Sequence, residues 1–599
     1  MRRLPTPRTT CSSLVALLLL SIVPGIAQEE AALEEPEVFL EQVAVDIVNV
    51  EVYVTDKDGN PVSGLTREDF AVAEDGRPVE VVNFYHVVDG VPKGWKQPES
   101  TAESEVTEPA IGEEHVPVFL PQAPEMIVPE SQRLHMVIYV DNFNIHPLNR
   151  NRVFRSLRVF LHDTIQKGDE AMVASYDRSL HVRQPFTSSP DLVNSVLREI
   201  EGMSGSAIER ESERAASLKK IYETNSVHTA EFEAKNYAEN QYHETNNTLD
   251  AVREMLDSLA GLPGRKMLVH VSDGIAMVPG QDLYQAIQSR FSAVTAMGEA
   301  FSYDLSRRYM QVIALANSNR VSFYTIDAGG LRTQSGMGAE NAVVNYPLAV
   351  AKAVEGVRMS NLQDTLIMMA NRTGGQYIVN TNDVSEGLTR FASDIGNYYS
   401  LGYRAPAANR GRYHKINVTL KNKSKEWQLR HREGYRDKSI EAQLENSIQA
   451  FLVHGYETNP LAVSVDLGAQ SPTTDGNILV PVRIRIPMGN VVLLPRGEIY
   501  EGRLRLYFGA TDEDGRDAPM QELPLNLRIP ESSIDLARQD EVARVIDATM
   551  RPGVHKLVVA VRDEISEDRS VVGRFVMVGS PEYREQNPEL PPSLDFRKR

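Results

Sequence analysis

Hydrophobic and polar residues follow a strand-like pattern near the start of the chain. Residues 43–54 alternate between apolar and polar positions, which is the period of a half-buried β-strand. Two Asp-Gly pairs, at 58–59 and 75–76, lie between apolar runs, as is typical of β-hairpin turns. We therefore predict a β module over residues 36–90. Residues 91–130 are rich in Pro, Glu, Ser and Thr, a composition that indicates a linker.

The pattern changes to alternating strands and helices over residues 131–405. Continuous apolar runs predict buried strands, among them 136–140 and 267–271, and Pro147 opens a helix with apolar residues at helical spacing. This alternation favours a doubly wound, mostly parallel sheet. The charged stretch 208–240 is interpreted as an additional helical excursion with a solvated face.

Strands return after this region. We predict strands within 406–436, a helical connector over 437–460, a C-terminal β-sandwich over 461–580 and a tail over 581–599. The β module at 36–90 has too few strands to close a core alone. Strands from 398 to 435 are expected to complete it, so that the α/β domain would be an insertion in one sandwich. The predicted fold class is multidomain, α/β plus β, with flanking β-sandwich modules.

Length and the first residues indicate several domains and an exported protein. A chain of 599 residues is too long for one core, which favours three or four domains. Residues 1–27 predict a signal peptide, because an apolar run follows three arginines and precedes a small-residue cleavage site. The run is too short to cross a bilayer comfortably. We expect a periplasmic or extracellular protein with no transmembrane helix in the mature chain.

Charge and cysteine content exclude several classes of function. The formal net charge is -19, and an acidic chain is a poor partner for nucleic acid, whose binding depends on neutralising phosphates. The only cysteine, Cys11, precedes the apolar run and would leave with the signal peptide. Zinc-finger, thiol-protease and disulfide-scaffold classes are therefore excluded. Protein partners and cations remain open.

Two of the predicted buried strands end on an aspartate. Asp141 follows the strand at 136–140, and Asp273 follows the strand at 267–271. Open α/β sheets bind ligands at the carboxyl edge of their parallel strands. We therefore expect both carboxylates to lie at one binding edge.

A set of short motifs, in a fixed order, carries a resemblance to a known family. The motifs are Val52–Asp56, Asp58–Leu65, Asp69-Phe70, Met136–Asp141, Gly264–Lys266, Ser272–Gly274, Phe323–Asp327, Thr373–Gly375, Tyr399–Tyr403 and Arg432–Tyr435. With them the chain resembles von Willebrand factor type A (VWA) domains, and more narrowly the bacterial exported proteins that carry a VWFA-related domain. The resemblance covers roughly residues 40–436 and leaves the C-terminal segment outside.

The resemblance implies a binding function at the carboxyl edge. VWA domains hold a divalent cation such as Mg²⁺ there, and the cation takes a carboxylate from a protein partner. The family motif is Asp-x-Ser-x-Ser, then a threonine on a later loop and an aspartate after the fourth strand. Asp141 matches the first aspartate and Asp273 the last, while either Thr245 or Thr248 could be the threonine.

The serine positions of the motif are altered in this chain. Phe143 and Ile145 stand where hydroxyls are expected, and a hard cation needs about six oxygen ligands. Asn144, backbone carbonyls and water could substitute. The candidate ligands of this degenerate metal-ion-dependent adhesion site are Asp141, Asn144, Thr248 and Asp273. The competing interpretation, which the sequence favours, is that Asp141 caps the first helix or the turn before it.

The remaining sequence offers no catalytic constellation. Asp-Gly turns explain the aspartates at 56, 58, 512 and 514 better than calcium loops do. There is no nucleophile elbow, phosphate loop or dinucleotide fingerprint. Metal-ligand spacing is missing from the histidines at 135, 146, 162, 181, 243 and 270. We therefore predict that the protein is not an enzyme.

These observations lead to one prediction of function and one alternative. The first is an exported, non-catalytic protein that uses a VWA-like domain for protein–protein interaction or adhesion. The alternative is a structural component of a cell-envelope or secretion assembly that binds no ligand through a metal.

Overall fold

The computed structural model describes residues 47–93, 133–165, 169–332, 348–405, 411–421, 426–516 and 518–579. The predicted signal peptide and the tail after residue 580 lie outside them, as does most of the predicted linker. All of the described residues belong to one compact unit, Val45–Arg599. Among them, no helix has the length and apolar character needed to cross a membrane.

The helices and strands are numbered in chain order. The first strands are β1 (Ile47–Thr55), β2 (Phe70–Glu74), β3 (Arg77–Val79), β4 (Val81–Val88) and β5 (Val91–Lys93). Next come β6 (Leu134–Val140), α1 (Pro147–Thr164), β7 (Glu170–Tyr176), β8 (Leu180–Thr187), α2 (Pro190–Glu201), α3 (Ala207–Glu223), α4 (Val227–Ser258), β9 (Arg265–Ser272), α5 (Gln281–Phe291), α6 (Ala296–Ala300), α7 (Ser306–Ser318), β10 (Val321–Asp327), α8 (Leu348–Arg372), β11 (Tyr377–Ile378) and α9 (Ser385–Gly396). The chain continues with β12 (Tyr398–Arg404), β13 (Tyr413–Leu420), β14 (Gln428–His431), β15 (Gly434–Arg436) and α10 (Ile440–His454). The last elements are β16 (Ser464–Leu467), β17 (Ser471–Pro472), β18 (Ile478–Pro487), β19 (Leu494–Arg496), β20 (Ile499–Asp512), β21 (Gln521–Pro530), α11 (Ile534–Ala537), β22 (Glu541–Met550), β23 (Gly553–Asp563) and β24 (Arg569–Val578).

The described chain is a mixed α/β structure with several sheets. One sheet has the strand order β11-β10-β9-β6-β7-β8. Neighbouring strands in it are parallel except for the edge pair β7 and β8, which is antiparallel. Residues along β6 and β9 are almost entirely buried, which explains why their sequences are continuous apolar runs rather than alternating ones.

Helices pack against this sheet through two separate hydrophobic cores. Helices α1, α2 and α9 contribute Phe154, Leu197 and Phe391 to the first core. Helices α4, α7 and α8 contribute to the second, where Tyr309 and Leu366 lie. The helix predicted to begin at Pro147 is α1, and the proline occupies its first turn, where the missing N–H costs no hydrogen bond.

The predicted helical excursion is formed by α3 together with the first half of α4. Helix α4 runs without interruption from Val227 to Ser258, well beyond the end of the predicted excursion at residue 240. Ala230, Ala234 and Ala238 recur every four residues and so lie on one face, which packs with Ile221 of α3 and Tyr284 of α5. The excursion therefore has a core of its own rather than only a solvated face.

The first strands and the strands after the α/β region share two sheets. One sheet has the order β14-β1-β12-β4-β5 and the other β15-β13-β2-β3. Their inward residues, among them Val50, Phe70, Leu401 and Val418, form one core. The α/β region is thus inserted between the two halves of a sandwich. The strand β5 extends this module to Lys93, into the range that the sequence assigns to the linker.

The position of β12 differs from the predicted boundary at residue 405. Tyr398–Arg404 pairs with β1 and β4 rather than with the α/β sheet. Alternate residues of this strand, Tyr399, Leu401 and Tyr403, pack in the sandwich core, where they are almost completely buried.

The C-terminal part is built from two further sheets around a common core. One contains β16, β17, β18 and β22, and the other β19, β20, β21, β23 and β24. Helix α10, the predicted connector, packs Leu444, Ile448 and Phe451 on β23 and β24, while its Ala450 joins a core of the α/β region. Phe451 lies so close to β24 that a Cβ atom on Gly573 would come within 1.7 Å of its ring.

Candidate binding site at the carboxyl edge

The ends of β6 and β9 bring Asp141 and Ser272 together. The backbone N–H of Asp141 donates to the carbonyl of Val271 at 3.0 Å, which continues the parallel pairing past the end of β6. The hydroxyl of Ser272 then donates to Oδ2 of Asp141 at 2.9 Å. Asp141 is completely buried, as expected for a residue that ends a strand covered on both faces.

Asn144 closes the turn that follows Asp141. Its backbone N–H donates to Oδ1 of Asp141 at 3.1 Å, and its side-chain amide donates to both carboxylate oxygens, at 3.0 and 2.9 Å. Each oxygen of Asp141 therefore accepts two hydrogen bonds. This is the turn-capping role that the sequence favoured, while the cap of α1 is the His146 side chain, which accepts from Leu148 N.

Burial dominates the electrostatics of Asp141. It raises the pKa of this carboxyl from 3.8 to about 6, although the hydrogen bonds from Asn144 and Ser272 and the charge of Arg210 act in the opposite direction. Burial lowers the pKa of the neighbouring His270 from 6.5 to about 4, so this imidazole is neutral at pH 7. His270 therefore supplies no positive charge to compensate Asp141.

Of the two candidate threonines, Thr248 is the one at the site. Its Oγ1 lies 3.4 Å from the side-chain amide of Asn144, and it donates to the carbonyl of Glu244 at 3.1 Å. Thr245 is buried one turn earlier on α4. Helix α4, whose first half belongs to the excursion, carries the hydroxyl of Thr248 to this edge.

Asp273 lies at the same edge but faces the start of α1. Its Oδ2 accepts from the backbone N–H of His146 and from the side-chain amide of Asn149, both at 2.9 Å. Burial raises its pKa. Its Oδ1 is buried and has no hydrogen-bond partner among the described residues.

Arg210 of α3 is a site residue that the sequence interpretation missed. Its guanidinium donates to Oδ1 of Asn144 and to Gln241, and its Nε lies 3.3 Å from Oε2 of Glu244. It also stacks on Phe143, 4.8 Å from the ring centroid, a cation–π arrangement. Phe143, which stands at a serine position of the motif that the sequence resembles, therefore holds Arg210 by a cation–π contact.

These contacts bear on how well the four candidate residues fit a divalent cation. Such an ion needs several oxygens that are free to coordinate it. Both oxygens of Asp141 are used by hydrogen-bond donors, and Oδ1 of Asn144 accepts from Arg210. A guanidinium already supplies positive charge at this edge. The donor set therefore fits a metal poorly.

A cleft of about 730 Å³ opens beside these residues. Three large apolar side chains on its lining are exposed: Leu148 at 74%, Ile208 at 55% and Leu331 at 60%. The lining also contains arginines that are held by acidic groups. Arg214 is paired with Asp282 at 2.6 Å, and Arg332 of the loop after β10 with Asp327 at 2.8 Å. The cleft combines apolar contact area with fixed polar groups, as binding sites do.

Comparisons with known proteins give partial likenesses. No protein-family model matches the chain, and no curated protein matches it. Solved structures that are similar in part include VWA-type proteins. A von Willebrand factor type A protein from Catenulispora acidiphila is 9% identical, with 52% of this chain and 67% of that chain covered and a TM-score of 0.23.

Two other similar structures come from Bacteroides species. BatB from Bacteroides thetaiotaomicron is 11% identical, with 44% of this chain and 97% of that chain covered and a TM-score of 0.19. An aerotolerance-related membrane protein from Bacteroides fragilis is 11% identical, with 44% and 98% covered and a TM-score of 0.20. Similarity at this level is too weak to support a function.

Proposed function

We propose that this chain is an exported, non-catalytic binding protein whose α/β region is a doubly wound, VWA-like domain. The domain binds a protein partner in the cleft at its carboxyl edge. The observation that carries the proposal is the exposed apolar group of Leu148, Ile208 and Leu331 around that cleft. Exposed apolar side chains gathered at a concave, partly polar surface are typical of interaction sites.

The proposed binding does not depend on a divalent cation. Arg210 supplies a positive charge where the family resemblance implies a metal, and this charge is fixed there by Asn144, Gln241 and Glu244. The hydrogen bonds to Asp141 support the same view, since a cation would have to displace them. Calorimetric titration of the purified protein with Mg²⁺ and Ca²⁺ tests this. We expect no heat of binding at millimolar ion. A heat that disappears in an Asp141→Ala, Asp273→Ala variant would contradict it.

The cleft itself is tested by affinity capture from the envelope fraction of the source organism. The double variant Ile208→Asp, Leu331→Asp places two charges on the apolar group, and Ile208 lies in the first turn of α3, where an acidic residue is tolerated. We expect at least tenfold less of the partner that the unmodified protein captures. Val294→Asp, at a residue 77% exposed and away from the cleft, is the matched control. Equal capture by the double variant and the control would overturn the proposal.

The alternative proposal is a structural component of an envelope or secretion assembly. It is favoured by the contacts that α10 makes with both the α/β region and the C-terminal sandwich, because they join the parts of the chain into one unit. This function would need neither the cleft nor the carboxylates. Unchanged capture by the cleft variant and by the Asp141→Ala, Asp273→Ala variant would favour it.

A further inference from the structure

A second group of polar side chains lies in the N-terminal sandwich, outside the cleft. Glu74 ends β2, Asp75 follows it in the turn to β3, and β13 places His414 beside them through the pairing of Ile416 with Glu74. Nδ1 of His414 lies 3.0 Å from Oδ2 of Asp75 and 3.4 Å from Oε1 of Glu74. We call these three residues the sandwich triad.

The sandwich triad is unusual in its burial and charge. Glu74 and His414 are buried, while Asp75 reaches solvent and leaves an entry path. A further buried carboxylate, Asp437, lies 3.6 Å from Nε2 of His414. Three carboxylates therefore surround one imidazole. Burying carboxylates is costly unless positive charge compensates them, and the sandwich triad contains a single basic side chain.

Other groups hold the atoms of the triad that do not face its centre. The hydroxyl of Tyr435 donates to Oε2 of Glu74 at 3.0 Å, and the backbone N–H of Lys415 donates to Oδ1 of Asp75 at 2.8 Å. One oxygen of each carboxylate and Nδ1 of the imidazole therefore converge, all within 4.8 Å of one another.

His414 supplies an independent observation. Its buried Nε2 has no hydrogen-bond partner among the described residues, yet it faces Oδ2 of Asp437. A histidine that binds a metal through Nδ1 carries its proton on Nε2, and this proton is usually directed at a carboxylate. Asp437 occupies that position.

We propose that the sandwich triad binds a divalent transition metal, with Zn²⁺ preferred. Oε1 of Glu74, Oδ2 of Asp75 and Nδ1 of His414 are the ligands, and water completes a tetrahedron. Zn²⁺ bonds to nitrogen and carboxylate oxygen are about 2.0–2.2 Å long, so neighbouring ligand atoms lie about 3.3 Å apart. The distances of 3.0 and 3.4 Å around Nδ1 match this spacing. A nitrogen and two oxygens also suit zinc better than calcium.

The metal would join the two halves of the interrupted sandwich. Glu74 and Asp75 precede the α/β region, and His414 follows it, so the contact between Asp75 and His414 spans 339 residues. A ligand that binds only the folded state raises its stability. Zinc is therefore expected to raise the melting temperature of the sandwich as well as to bind.

The test is titration of the metal-stripped, purified protein with Zn²⁺ against a chromophoric chelator. We expect one equivalent to bind and the melting temperature to rise. Asp75→Asn should weaken binding at least tenfold and remove the thermal shift. This variant is expected to fold, because Asp75 is exposed and its positive φ of 48° is tolerated by asparagine. Asp58→Asn, in another Asp-Gly turn of the same sandwich, is the matched control and should behave as the unmodified protein.

Two outcomes would overturn the proposal. One is absence of stoichiometric Zn²⁺ binding at micromolar concentration, which would mean that the triad is only a structural polar cluster. The other is equal Zn²⁺ affinity in the Asp75→Asn and Asp58→Asn variants, which would place any bound zinc elsewhere. The result is separate from the cleft experiments, since the triad contains no cleft residue.

Discussion

The carboxyl group of Asp141 is buried at the end of β6 and is held there by hydrogen bonds rather than by an opposite charge on His270. Its pKa of about 6, against an ordinary 3.8, means that the folded state binds a proton more tightly than the unfolded state. The stability from this proton is fully present below pH 3.8 and is lost as pH rises through 6. This difference in pKa between the folded and unfolded states corresponds to about 3 kcal/mol.

A substitution at this residue tests the linkage. Asp141→Asn keeps the shape and removes the titration, so the fall in the free energy of unfolding that Asp141 contributes between pH 4 and 6 should be absent from this variant. Urea unfolding at a series of pH values, followed by far-UV circular dichroism, is the measurement. Glu209→Gln, at an exposed position of α3, should leave the pH dependence unchanged. Parallel pH profiles for Asp141→Asn and the unmodified protein would contradict the argument.

At the scale of the element, α3 is anchored to the sheet edge through one arginine. Arg210 bonds Asn144 and stacks on Phe143, so the excursion is tied to the turn after β6. Neither contact could be inferred from the sequence, because charged residues at helical spacing are typical of a solvated face. The strand ends at Asp141 and Asp273 were predictable, since each closes a local apolar run. Arg210 reaches the site across 66 residues.

Removal of this anchor should loosen α3. Arg210→Ala loses the hydrogen bonds to Asn144 and Gln241, the ion pair with Glu244 and a cation–π contact, worth about 2–5 kcal/mol together. We expect faster amide hydrogen exchange in α3, with little change in β6. Lys219→Ala, which removes only an exposed ion pair to Glu223, is the control. Unaltered exchange in the Arg210→Ala variant would show that the core with α4 and α5 holds α3 without the anchor.

At the scale of the whole molecule, α10 couples the C-terminal sandwich to the rest of the chain. Phe451 packs against Gly573 and Ala450 against the α/β core. The connector was predictable from its helical pattern, but its packing was not. The predicted domain boundary at residue 405 left β12 in the α/β domain, because the alternation of a strand gives its buried face and not its partner strand.

Calorimetric melting tests this coupling. Phe451→Ala removes a buried aromatic side chain and should cost about 3–5 kcal/mol. We expect the C-terminal sandwich to melt in a separate, earlier transition. Val453→Ala, on the exposed side of the same helix, should leave the melting profile as it is. A single transition for both variants, equally shifted, would argue against α10 as the coupling element.

The interrupted sandwich also determines when its first strands can pair during translation. The carbonyl of Val62 accepts a hydrogen bond from the hydroxyl of Tyr399, which is synthesised 337 residues later. At about 5–20 residues per second, translation takes roughly 20–70 s to cover that distance. During this interval β1 lacks both neighbours, β12 and β14, and presents an alternating apolar face with open edges, which is the form of strand most prone to aggregate. Correct folding of this protein therefore depends on protection of its first strands while the inserted domain is still being synthesised.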